Sequence, residues 1–580
     1  MCYAVAKERV TSMKSVKLFA ITTALAIVLT ACGAPKSGAE NPSAVDVDAL
    51  LASAVEIVLS DSGINVGGAP VGTGEDESVS VANDIIYYEE GKDFTYGEGD
   101  AEDAHDEQTA AEHTVVHITR PGVYSVSGTL SKGQIAVDLG KEAKSDPNAV
   151  VTLLLNGVDI TCQVAPAVIF YNVYECGTAD TETATKDVDT SAAGANVVLV
   201  DGTTNTVNGS YVARIYKPDS VVLNADGTKV DEAKKLHKYD AAFYSKMTMN
   251  VAGGKENSGV LNIHAENEGL DSELHLTING GNINIVSGND GINTNEDGVS
   301  VTTVNAGKLN IRVTGETGEG DGIDSNGWLV INGGTVIAQA CSFSADAGID
   351  SDMGIHINGG TVIATGSMLD RIEAGGQNYA VFNFANRQSG SKTIQLNRES
   401  GSGVLEFTPD NDYSVLVYSS PDLTAGNYTL WSDGTQLAGA KGGSMGMGGM
   451  GMGRPGMQGM PGGMPQGRPE GMPVGEMPQG MPGGRPGGKN EGMQFPEGEW
   501  PSQRPEGMTP PTGDFPFGGQ NGAERPERPE GQNDRNQWGG NRPEGQWGPN
   551  DGGNGFSREL NLIFEISDGG TMFQNVSEAK

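Results

Sequence analysis

Positive charge, cysteine and long apolar runs are all scarce in this sequence. Lys and Arg number 37 against 75 Asp and Glu, a formal net charge of −38. A surplus of that sign repels polyanions at long range, which argues against nucleic acid and an anionic membrane surface as partners and leaves metal cations as the natural counterparts. Charged residues make up only 19% of the chain while glycine reaches 86 residues, a balance that disfavours helices and favours short strands joined by tight turns. The apolar run from Leu18 to Leu29 is shorter than the ~20 residues of a membrane-crossing helix. The five cysteines show no spacing that reads as a zinc site. Two readings stay open for Cys162 and Cys176: a bridge, which an exported protein permits, or packing as small buried hydrophobes.

What the chain does contain begins with an address. Lys14 and Lys17 precede the apolar run, which closes in Leu29-Thr30-Ala31-Cys32, the order of a signal peptide followed by a small-residue cleavage site. That tetrapeptide resembles the lipobox of bacterial lipoproteins. The resemblance implies that Cys32 carries lipid and anchors the protein to a bacterial membrane on the extracytoplasmic side, at the cell surface. Residues 1–32 are therefore expected to be a lipoprotein signal peptide, and the polar, acidic residues 33–110 a tether.

The central stretch is repetitive. One motif recurs as Gly269-Leu270-Asp271-Ser272, Gly291-Ile292-Asn293-Thr294, Gly322-Ile323-Asp324-Ser325 and Gly348-Ile349-Asp350-Ser351. A second recurs as Ile278-Asn279-Gly280-Gly281, Val304-Asn305-Ala306-Gly307, Ile331-Asn332-Gly333-Gly334 and Ile357-Asn358-Gly359-Gly360, in steps of 26, 27 and 26 residues. Each repeat holds about three short alternating strands without helical periodicity, the signature of one coil of a parallel β-solenoid. The predicted fold is thus all-β, a right-handed parallel β-helix over residues 111–400. Registered on the Asn-Gly-Gly turn, Leu276, Leu329 and Ile355 stack inward with Ile278, Ile331 and Ile357, while His275, Thr277, Trp328, Val330 and His356 point outward.

Beyond the coils, residues 401–440 and 557–580 read as a small terminal β region, interrupted by residues 441–556. That Gly/Met/Pro-rich insertion has too few branched or aromatic residues for a core and is expected to be disordered.

In such a stack, equivalent residues lie about 4.8 Å apart. Asp271, Asn293, Asp324 and Asp350 then form one column and Glu268, Asp290 and Asp321 a second. Asp346 and Asp352 fall close by, and Asp240 belongs one coil earlier if residues 239–246 are a degenerate repeat. Paired carboxylates at that spacing repel by about 3.5 kcal/mol at an effective dielectric of about 20, and a stack cannot repeat such a cost without a counterion. Calcium fits, because it takes several carboxylate, amide and carbonyl oxygens and the adjacent glycines let the backbone approach. The plainer reading is that these Asp and Asn residues only shape turns.

From about His113 to Ser367 and in the last strand, the chain resembles the bacterial carbohydrate-binding β-helix family, whose fold is similar to that of pectate lyases. The matching elements are Thr119 to Gly128, Leu153-Leu154-Leu155-Asn156-Gly157-Val158-Asp159-Ile160, and the Asp-Gly-Ile-Asp-Ser and Ile-Asn-Gly-Gly turns; the sequence departs from the pattern at Ala241-Ala242, Asn293 and Ala347. The resemblance implies calcium between coils and affinity for acidic (uronic) or cellulose-like polysaccharide without catalysis. Trp328 is the candidate platform for a sugar ring, with packing under a loop as its plainer reading. Two other functions compete: a polysaccharide lyase using Arg312 as base beside calcium, and a structural or adhesive surface protein. A Cu(I) role for the Met-rich segment finds no accompanying His or Cys.

Overall fold

The computed structural model describes residues 45–72, 78–100, 103–442 and 560–579. The expected leader with its lipidation site Cys32, and the expected disordered segment 441–556 from residue 443 onward, lie outside the described residues.

The architecture is all-β, built on three ladders of parallel strands that the chain visits in rotation. Glu268–Ser272 is followed by His275–Ile278, then Asn282–Ser287, and the next round opens at Ile292–Thr294. The first ladder runs from Val55–Leu59 through Gly122–Leu130 and Val151–Thr161, and on by way of Met249–Gly253 and His275–Ile278 to Gly354–Ile357. A second ladder starts on the far halves of Gly122–Leu130 and Val151–Thr161 and continues to Thr361–Gly366. The third runs from Thr114–Ile118 to Ile323–Ser325.

The repeats work because each ladder buries one side of every strand. Leu276, Leu329 and Ile355 share a row, as do Ile278, Val304, Ile331 and Ile357, and all are buried as the alternation predicts. Leu270, Ile292 and Ile323 fill the equivalent row of the third ladder. The Asn-Gly-Gly turns add a polar spine. Asn305 donates to Asn279 at 2.9 Å, Asn332 to Asn305 at 2.8 Å and Asn358 to Asn332 at 2.8 Å. The last glycine of each turn has φ between 78° and 94°, where a side chain is strained.

Both ends differ from the expectation. Residues 45–110 do not form a tether where they are described: Val55–Leu59 adds a parallel rung to Gly122–Leu130, and Val79–Ala82 pairs antiparallel with Thr114–Ile118. Ile57, Leu59, Val79 and Ile85 are buried, and these isolated apolar residues are what anchor an otherwise acidic stretch. The terminal region begins at Tyr379–Gln388 instead of 401, with Tyr413–Ser419 pairing antiparallel to both Thr361–Gly366 and Tyr379–Gln388. It has its own core, in which Phe382 stacks on Phe573 at 5.4 Å. The insertion does leave and re-enter this region: Thr435–Lys441 precedes it, and Phe564–Ile566 and Gly570–Glu578 rejoin the same strands after it. Cys162, Cys176 and Cys341 are all free thiols, so Cys162 and Cys176 are not bridged.

Candidate metal centre

The turns that open the third ladder bring the acidic columns together. Strand register aligns Asp271 with Asn293 and Asn293 with Asp324, and backbone hydrogen bonds carry the row on to Asp350, whose N–H donates to Ile323 O at 2.7 Å. The second column follows from Gly269 N donating to Asp290 O at 2.9 Å and Gly291 N to Asp321 O at 3.0 Å, which stack Glu268, Asp290 and Asp321. The glycines permit this approach: a Cβ on Gly291 would lie 2.5 Å from Gly322 O and one on Gly322 2.3 Å from Gly348 O.

Among the described residues, Asp321, Asp324 and Asp350 bring one carboxylate oxygen each within 4.8 Å of one another. All three are half-buried. The same three positions one and two strands earlier on the third ladder hold Asp290, Asn293 and Asp324, then Glu268, Asp271 and Asn293, so the carboxylate content thins where asparagine enters the row.

The electrostatics are those of crowded acids. Burial first, and neighbouring carboxylates after it, raise the pKa values of Glu268, Asp271, Asp290 and Asp321 well above the usual carboxylate range; the leading neighbours are Asp240, Glu268, Glu268 and Asp290 respectively. Asp350 is raised to about 6 by burial and then by Asp370. Hydrogen bonds offset only part of this. Asp290 accepts from Asp321 N at 2.6 Å, Asp321 from Ala347 N at 2.6 Å, and both carboxylate oxygens of Asp271 from Asn295 Nδ2 at 3.0 Å. Asn293 Nδ2 donates to Glu268 at 3.4 Å while its Oδ1 is buried without a hydrogen-bond partner, as is Asp240 Oδ1. An amide oxygen buried without a hydrogen-bond partner, in register between Asp271 and Asp324, belongs to a set of oxygen donors that suits a hard, oxygen-seeking cation.

Two of the predicted ligands stand out of register. Ala241 pairs with Glu268 and Tyr244 with Asp271, so Asp240 falls one residue before the column, with Lys235 Nζ 3.9 Å from its Oδ2. Ala347 occupies the position after Asp321, and Asp346 instead accepts from Gly320 N at 2.7 Å and from the Ser344 hydroxyl. Asp352 lies in a third, adjacent row with Asn326, Asn295 and Glu273, set by Asp352 N donating to Ser325 O at 3.1 Å and Asn326 N to Thr294 O at 3.0 Å. That row escaped the sequence reading although its signal was present, since each member follows a residue of the first column by two positions. Asp370, whose carboxylate accepts from Ser351 N at 3.1 Å, was also missed, because it lies after the last repeat.

The predicted sugar platform and base sit elsewhere. The connection at residues 173–194 folds over the outer side of the first ladder: Thr190 Oγ1 donates to Thr277 Oγ1 at 2.9 Å, and a Cβ on Gly177 would touch Leu274 and His275. His275, Thr277 and Val330 are consequently buried and Trp328, on the same ladder, is half-buried, so this side is not the open platform expected of outward residues. Arg312 is exposed on the second ladder, where its Nε donates to Asn411 at 3.2 Å.

A family model described as "Carbohydrate-binding domain-containing protein" matches residues 112–381. A protein of that description from Acetivibrio thermocellus is 29% identical over 172 residues, which is 29% of this chain and 44% of the relative. The chain thus spans less than half the length of that curated relative. A solved polysaccharide lyase-like protein from C. thermocellum, studied as a gadolinium derivative, is covered over 91% of its length by 55% of this chain, at 19% identity and a TM-score of 0.32, a likeness too remote to assign a fold. The stretch that carries the acidic columns is therefore the stretch that is similar to carbohydrate-binding domain-containing proteins.

Proposed function

We propose that this chain is a calcium-dependent polysaccharide-binding protein of the bacterial surface, built on a right-handed parallel β-helix, and that it binds acidic or cellulose-like glycan without cleaving it. Three parallel ladders visited in strict rotation support reading the strands as coils. The observation that carries the function is the convergence of Asp321, Asp324 and Asp350 inside the segment matched by the carbohydrate-binding family model. These three would hold the ion, with Asp290 and Asn293 as donors one coil earlier. Bound calcium supplies a positive centre that a uronic carboxylate can share, since it takes six to eight oxygens and three carboxylates leave positions for others. Binding is favoured over lyase chemistry because Arg312 belongs to the second ladder and is engaged by Asn411, whereas the acidic columns open the third. The Leu29-Thr30-Ala31-Cys32 motif supports a lipid anchor.

The test is retention of the full chain on insoluble and uronic polysaccharides, with calcium and after chelation, with ultraviolet absorbance of the same mixtures followed for unsaturated product. Calcium-dependent retention without product is expected. Product would establish a lyase, and no retention on any glycan would leave a structural surface protein.

A further inference from the structure

Across residues 256–370 the sequence carries sixteen Asp and Glu but only two Lys or Arg, Lys308 and Arg312. Both stand on one strand of the second ladder, Lys308–Val313, in which Leu309, Ile311 and Val313 are buried while Lys308, Asn310 and Arg312 are exposed. Alternation therefore sets the two cations on the same outer side, four residues or about 13 Å apart. Among the described residues neither forms an ion pair, and the Lys308 ammonium has no hydrogen-bond partner. Arg312 is held from behind. The Asn411 amide donates to Val313 O at 2.7 Å and to Ala340 O at 2.8 Å, and its oxygen accepts from Arg312 Nε at 3.2 Å. The two terminal guanidinium nitrogens, the pair that can grip a carboxylate, are left without a protein partner among the described residues. Asp410, the carboxylate next to Asn411, accepts from Gln339 Nε2 at 3.3 Å instead.

The same line of the molecule continues into an aromatic ring. Gly315 follows Arg312 by three residues, and a Cβ on it would lie 3.2 Å from Phe343 Cδ2, so the Phe343 ring sits over the turn that ends this strand. The segment carrying Phe343 is clamped at both ends on Gly320: Cys341 N donates to Gly320 O at 2.8 Å, and Gly320 N donates to the Asp346 carboxylate at 2.7 Å. Cys341 is fully buried, yet Phe343 is 74% exposed, more than any other large hydrophobic among the described residues. A phenyl ring left in water forgoes about 2 kcal/mol of burial, and a ring held there on a fixed seat is what a stacking surface needs. Gly320 precedes Asp321, and Ala347 N donates to the Asp321 carboxylate at 2.6 Å, so this segment borders the converging acids.

We propose that Lys308, Arg312 and Phe343 form a strip on which an acidic glycan lies, with uronate carboxylates on the two cations and the apolar face of a sugar ring on Phe343. This rests on the polysaccharide-binding reading and deepens it: the glycan crosses the second ladder along the strand direction and reaches the acidic turns at its Phe343 end. Asn310, exposed between the cations, offers its amide to sugar hydroxyls. Beyond Gly315 the exposed Glu316 and Glu319 repel a carboxylate, and an apolar ring is the compatible contact there.

The experiment measures binding of the full chain, in saturating calcium, to a polyuronate and to the same polymer with its carboxyls methyl-esterified. Lys308→Gln and Arg312→Gln are each expected to weaken binding of the free acid about tenfold, the loss of one charge-assisted contact, and to leave the ester unchanged; Lys308→Arg should retain binding. Phe343→Ala is expected to weaken both polymers about threefold to tenfold, since stacking does not need the charge. All three positions are exposed, so an unchanged melting temperature and calcium affinity report an intact fold and intact acidic columns. Should Arg312→Gln, which loses the Asn411 contact, fail to fold, Lys308→Gln carries the same test. Affinities that none of the substitutions moves, or equal loss on both polymers in the lysine and arginine variants, overturn the strip while leaving carbohydrate binding in place. Retention of neither polymer by wild type overturns both.

Discussion

Asp324 stands between Asn293 and Asp350 in register and is one of the three carboxylates that converge. Asp324→Ala is therefore expected to lower calcium affinity at least tenfold in a calorimetric titration, and Asp324→Asn, which keeps an oxygen donor, to lower it less. Asp350 is one of the raised carboxylates that contribute to the pH dependence. A carboxyl raised from 3.8 to about 6 binds its proton more tightly in the folded state, so its contribution to metal-free stability is fully present below 3.8 and is lost as pH rises through about 6. Thermal melts in chelator should accordingly show less destabilisation between pH 4 and 7 in Asp350→Asn than in wild type. The register residues Asp271, Asn293, Asp324 and Asp350 were legible in the sequence because each holds the third position of the same recurring four-residue motif. Asp240, expected in the second column, was not, because strand pairing sets Ala241 opposite Glu268 and leaves Asp240 one residue out of line.

Individual strands are tied by rows of one residue type. Asn332 makes two links of the asparagine spine, to Asn305 and Asn358, so Asn332→Ala should cost about 1–3 kcal/mol in denaturant unfolding without altering calcium affinity. Leu329, fully buried between Thr302 and Ile355, should cost about 2–5 kcal/mol as Leu329→Ala. Inward rows were readable from alternation alone. The covering of the outer side of the first ladder was not, since residues 173–194 are a non-repeating connection whose docking onto Thr277 and His275 depends on tertiary contacts. Trp328 was placed correctly on its strand but lies on that partly covered side.

Across the whole molecule, the stack must be closed at both ends. The N-terminal closure comes from Val55–Leu59 and Val79–Ala82, and the far end of the second ladder pairs with Tyr413–Ser419. Removing residues up to 72 should expose the parallel edge of Gly122–Leu130 and lower the melting temperature, where loss of a mere tether would leave it unchanged. The N-terminal closure was hidden in the sequence by surrounding acidity, while the split of the terminal region around its insertion was visible as a return of strand-like residues after 560. Under the proposed function the acidic columns, once loaded with calcium, hold the glycan. This is tested most directly by measuring the affinity of the full chain for a polyuronate while free calcium is stepped upward. Affinity should rise with calcium and reach a plateau when the sites saturate, and Asp324→Ala should shift that rise to higher calcium. Affinity that is the same with calcium as after chelation would contradict the account.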